Sequence, residues 1–137
     1  SFKQSLGQGD FLIRNLVGVD PKVGAIAIAD RIRPGQRIQF HLRDALTAKE
    51  ELVALLKTYQ LENQERIPPS GALLFACNGR GTSLFDEPNC DTELFSQQLG
   101  PVPLGGFFCN GEIGPVGKTT FLHGFTSVFG ICRKLDT

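Results

Sequence analysis

The chain has 137 residues, with 14 basic and 14 acidic side chains and a formal net charge of zero. That balance provides no field of one sign to gather nucleic acid or an anionic membrane surface, and neither is expected as a partner. Hydrophobic residues make up 41% of the chain, enough for one buried core, but the longest apolar runs, such as Val23 to Ala29, are too short to span a bilayer.

There is no methionine, even at position 1. Residues 1–9 (SFKQSLGQG) read as a polar entry segment. Both features suit a piece of a longer polypeptide, or a chain whose start has been processed. No segment reads as a signal peptide. Cys77, Cys90, Cys109 and Cys132 fall largely in or beside apolar runs, the pattern of reduced, buried thiols in a cytoplasmic protein.

In chain order, Phe11 to Val19 reads as a first strand and Val23 to Ala29 as a second, joined by a turn at Asp20-Pro21. After a turn at Pro34-Gly35, residues 37–43 alternate, with Ile38, Phe40 and Leu42 on one face. This predicts a third strand and an antiparallel meander. Thr47 and Glu50 have capping-box spacing, and Leu52, Leu55, Leu56 and Tyr59 then form an apolar helical stripe. The helix stops before Pro68-Pro69.

Gly71 to Cys77 reads as a buried strand. Asn89 to Leu99 reads as a short helix, capped by Asn89, with Asp91 and Glu93 in its first turn and Gly100-Pro101 after its end. Val102 to Cys109 and Thr119 to Arg133 complete the strands, with Phe121, Phe125, Phe129 and Ile131 as core candidates. The expectation is an α+β fold in the order βββαβαβ. It would have one sheet, largely antiparallel in its first half, with the helices on one face. The other face would be left for a partner domain to cover.

One internal repeat carries the functional reading. LLFACNGRG (73–81) and LGGFFCNGEIG (104–114) are both apolar strands ending in Cys-Asn-Gly, then a charged residue. The two copies lie 32 positions apart. Asn accepts left-handed backbone and offers a donor and an acceptor. Gly lets a ligand approach the main chain, and successive amides in such a turn can hold an anion. Two such turns at neighbouring strand ends would form one concave site. The candidate ligand-binding residues are therefore Cys77, Asn78, Gly79, Arg80, Cys109, Asn110, Gly111 and Glu112. Arg80 and Glu112 would read opposite charges, which would suit a zwitterion such as an amino acid.

Other motifs carry less. Gly117-Lys118-Thr119 lacks the upstream glycine of a phosphate loop and leads into a strand-like run. There is no Cys-x-x-Cys pair, and His41 and His123 sit in separate strands, so no metal site is expected. A nucleophilic Cys77 or Cys109 would need His123 or Arg80 beside it.

The stretches GALLFACNGRG, LFDEPNCDTELFSQQLG, VPLGGFFCNGEIGPVG and TTFLHGFTSVFGICR, together with FLIRNLVGVD and GAIAIADRIRPGQRIQFHLRD upstream, resemble the C-terminal FIST domain from about Asp10 to Arg133. The resemblance assigns residues 10–137 to one such domain. It implies an intracellular sensory domain that binds small ligands, amino acids having been suggested, and that is paired with an N-terminal FIST domain of the same protein. No F-box is present in the sequence, which favours the bacterial type. The resemblance supplies no catalytic residues and no cofactor. The expected function is ligand binding relayed to attached domains. The alternatives are a protein-interaction module without a small ligand and a thiol-dependent enzyme.

Overall fold

The computed structural model describes residues 11–135; the entry segment 1–9 lies outside them. A hairpin comes first, with strand β1 (Leu16–Asp20) antiparallel to β2 (Ala25–Ile28) and Gly24 in the turn at a φ of +65°. Helix α1 follows (Ala45–Glu62), then β3 (Gly71–Cys77), the single-turn helix α2 (Thr82–Phe85), α3 (Cys90–Leu99) and β4 (Leu104–Cys109). The chain closes with β5 (Glu112–Val116), β6 (Thr119–His123) and β7 (Ser127–Cys132).

The fold is α+β, as expected, but among the described residues the strands form three sheets rather than one. β1 and β2 pair with each other, as do β5 and β6. The central sheet has the order β4-β3-β7, with β3 parallel to β4 and antiparallel to β7. Two segments departed from expectation for one physical reason. Residues 37–43 alternate perfectly yet form no strand, because none of the described residues offers a neighbouring strand to receive their ladder; Phe40 is 80% exposed and Leu42 98%. The run 119–133 is divided into β6 and β7 at Gly124-Phe125-Thr126, where Phe125 adopts a φ of +62°. Pairing with different partners, β5 and β3, divides it. Gly117 and Lys118 form the tight turn between β5 and β6.

α1 is capped one turn earlier than the Thr47 spacing implies. Asp44 is the N-cap, and its carboxylate accepts from the Thr47 amide at 2.8 Å and the Thr47 hydroxyl at 2.7 Å. Leu52 and Leu56 are buried, whereas Leu55, at the edge of the stripe, is exposed. At the other end Asn63 donates to the Tyr59 carbonyl. Asn89 occupies the cap position of α3 in left-handed backbone, but its side chain makes no capping bond.

α1 and α3 cover one face of the central sheet. Leu52, Leu56, Ala72 and Phe95 form the core, with Leu104, Phe129 and Ile131 packed against them. The Phe95 ring is fully buried and stacks on Phe129 at 5.1 Å. β3 and β4 approach unusually closely at one point: a Cβ on Gly106 would fall 1.9 Å from the Leu74 carbonyl oxygen. Among the described residues no helix is long and apolar enough to cross a membrane.

Candidate functional site

The parallel pairing of β3 with β4 brings the two Cys-Asn-Gly turns together. Cys77 and Cys109 are register partners, the Asn78 amide donates to the Cys109 carbonyl at 2.8 Å, and the Asn78 side-chain amide donates to Asn110 Oδ1 at 2.5 Å. The repeat therefore has a structural meaning: equivalent residues stand side by side at the carboxyl ends of adjacent strands. In sheets with parallel strands this is where ligand crevices open.

The eight residues of the repeat nevertheless divide between tasks. Gly79 is needed bare, since a Cβ there would lie 2.7 Å from the Phe125 ring. Arg80 folds inward, where its Nε and Nη2 donate to the two oxygens of Asp91 at 2.8 and 2.6 Å. Its guanidinium also lies 5.2 Å above the Phe85 ring. Glu112 is 1% exposed and accepts from the Thr126 hydroxyl at 2.9 Å. The Cys109 thiol leans on both the Ala76 carbonyl and Glu112, at 3.5 and 3.4 Å. Gly111 sits against Leu122. Arg80 and Glu112 are thus each engaged within the fold, and a zwitterion held between them is not what this geometry supports.

The cysteines are all free. Burial pushes the Cys109 thiol up, and the Glu112 carboxylate beside it pushes it further. Burial also raises Cys90. A thiol held protonated is a poor nucleophile. His123 is occupied elsewhere, with its Nε2 2.9 Å from the Gly114 carbonyl. Among the described residues no three Cys, His, Asp or Glu side chains gather as metal ligands.

A groove of about 830 Å³ opens beside the paired turns, within the range of small-molecule sites. Of the eight residues, Asn78 and Arg80 line it. Its floor is apolar, from Leu74, Ala76, Leu104 and Phe108, and its rim carries Thr82, Ser83, Asn89 and Thr92. Gly81 turns the chain at a φ of +78°, and a Cβ on it would come within 3.2 Å of the Phe108 ring. Asp91, Phe108 and the rim hydroxyls escaped the sequence reading. Their signal was the β-α-β arrangement itself: two apolar runs with a helix between them make a parallel pair, and the segment entering that helix faces the strand ends.

Comparison with known proteins bears on the same region. A family model for the FIST C domain matches residues 2–115. The chain is 46% identical to an uncharacterized protein of Mycobacterium tuberculosis over 121 residues, which is 88% of this chain and 31% of that protein. It is 43% identical to an uncharacterized protein of Mycobacterium bovis over 123 residues, with the same shares. An F-box/LRR-repeat protein of Arabidopsis thaliana is 32% identical over 114 residues, 72% of this chain and 21% of that protein. The chain spans about a third of the length of its mycobacterial relatives (31%).

Proposed function

Because the chain belongs to the FIST C domain family, we propose that it is a sensory domain which binds a small ligand in the groove between β3, β4 and the segment entering α3. The observation that carries this reading is the joining of Asn78 to Asn110 at the rim of that groove. Asn110 accepts from Asn78, whose side chain keeps an acceptor and a second N–H and belongs to a residue that lines the groove. A ligand that holds both turns together favours one arrangement of the loops following β3 and β4, and this shift in population is what an attached domain would detect. No catalytic step is part of the proposal: Cys109 does not line the groove, and burial raises the thiol of Cys90, which does.

Calorimetric titration of a metabolite set, amino acids included, onto the full chain tests the reading. Asn78→Ala should weaken any ligand found by about tenfold, the worth of one hydrogen bond, while lowering stability by no more than the lost bond to Asn110, about 1 kcal/mol. Unchanged affinity would overturn the site.

A second reading concerns partners. Leu73 and Phe107 are exposed on the sheet face away from the helices, and Val17, Val19 and Ile26 are exposed on the first hairpin. Apolar surface of this kind marks contact with another protein surface. We propose that the remainder of the longer polypeptide, an N-terminal FIST domain, packs there and receives the signal in the cytoplasm. Binding of that domain in the absence of any metabolite would instead favour a pure interaction module.

A further inference from the structure

We infer that the groove takes an uncharged molecule with an apolar ring or chain and an amide-like head, an inference that rests on the groove being a ligand site.

The first ground is electrostatic. Among the described residues, the charged side chains lining the groove are Arg80 and Asp91. Their side chains are 7% and 8% exposed, and two hydrogen bonds of 2.6 and 2.8 Å join them. A ligand carboxylate would have to take the guanidinium from Asp91, and a ligand ammonium would have to take the carboxylate from Arg80. Either exchange strands a buried charge, a larger loss than a partly solvated new ion pair returns. The other polar groups of the lining, on Asn78, Thr82, Ser83, Asn89 and Thr92, are neutral donors and acceptors.

The second ground is the backbone of β4, an edge strand. The Ala72 amide donates to the Pro103 carbonyl at one end of the β3–β4 ladder, and the Asn78 amide to the Cys109 carbonyl at the other. In a parallel ladder only alternate residues of a strand bond to a given neighbour. Residues 103, 105, 107 and 109 therefore face β3, while the peptide groups of Leu104, Gly106 and Phe108 face away from it. The groove touches all of residues 104–108, so it reaches this edge, which no other strand among the described residues pairs with. Gly106 is exposed and has no side chain to cover this edge, and Phe108, 58% exposed, lies beside the apolar floor. An amide can satisfy both edge groups at once while its apolar part lies on Phe108, Leu74 and Leu104. A carboxylate alone can only accept and an ammonium alone can only donate, so neither satisfies both edge groups.

Four probes that share one benzyl group separate the possibilities: N-acetyl-phenylalaninamide (uncharged), phenylalanine (zwitterion), phenylacetate (anion) and phenethylamine (cation). Each is titrated onto the full chain and its Phe108→Ala variant by saturation-transfer NMR and calorimetry, with melting curves as a folding control. The uncharged amide should bind at least tenfold tighter than each charged probe, and Phe108→Ala should remove about tenfold of that affinity while the melting temperature holds. A charged probe that binds as tightly, and depends on Phe108, overturns the inference but leaves the groove a ligand site. Binding of none of the four at millimolar concentration overturns both readings. Amide binding that ignores Phe108→Ala overturns the assignment to β4.

Discussion

Asn78 and Asn110 have identical neighbours in sequence and different duties in space. Asn110 supplies an acceptor to its counterpart; Asn78 lines the groove. Their charged followers diverge more. Arg80 belongs to a buried pair with Asp91, eleven positions on, and Glu112 to a contact with Thr126, fourteen positions on. A turn motif encodes its own backbone, but not the distant side chain that will neutralise its charge. For that reason the repeat was legible and the roles of Arg80 and Glu112 were not. Asp91→Asn should lower stability by about 3–5 kcal/mol in denaturant unfolding, because it leaves the Arg80 guanidinium buried without a counter-ion. Arg80→Lys should not restore the native value, since an ammonium cannot fork to both Asp91 oxygens. A loss below about 1 kcal/mol, typical of an exposed pair, would mean that the pair is solvated.

At the level of elements, apolar runs were read well where the signal is local, but the caps were not: Asp44 rather than Thr47 caps α1, and the Asn89 side chain makes no capping bond. α1, β3, α3 and β4 lie within a few residues of expectation because their ends are marked by Asp, Asn, Gly and Pro. The misplaced cap of α1 has a measurable consequence. Hydrogen bonds from the Thr47 amide and then its hydroxyl hold the Asp44 carboxyl below its usual range. A carboxyl depressed by folding stabilises above its unfolded pKa, and that contribution fades as acid takes the pH down through the folded value. Acidification through the usual carboxylate range should therefore lower the melting temperature of the native chain more than that of Asp44→Ser, whose cap does not titrate. Circular dichroism melts would check this, and parallel losses would dismiss Asp44 as the titrating cap. β5 and the division of 119–133 into β6 and β7 were not foreseen as separate strands, because strand limits are set by the partner. β5 pairs with β6, and β7 pairs with β3 far away in sequence.

For the whole molecule, stability concentrates where α1 and α3 meet the central sheet. Phe95→Ala should cost about 3–5 kcal/mol, from lost burial and the cavity left against Phe129. That is a large share of the margin of a typical domain, so the variant should show a sharply lower unfolding midpoint or fail to fold. An effect near 1 kcal/mol would place the core elsewhere. In contrast, the exposed apolar residues between 16 and 42 contribute little here. Their alternation suits burial that none of the described residues supplies.

The sequence by itself determined the α+β composition, the principal helices and buried strands, the duplicated Cys-Asn-Gly turn and the family resemblance. These depend on backbone preference and periodicity, which act over a few neighbouring residues. Only the tertiary structure decided that the described residues form three sheets and leave 37–43 without a strand partner among them, that Arg80 is neutralised by Asp91, and that the groove draws on Phe108 and the edge strand β4. Each of these is a relation between residues far apart in the chain, and no local pattern records which partner wins.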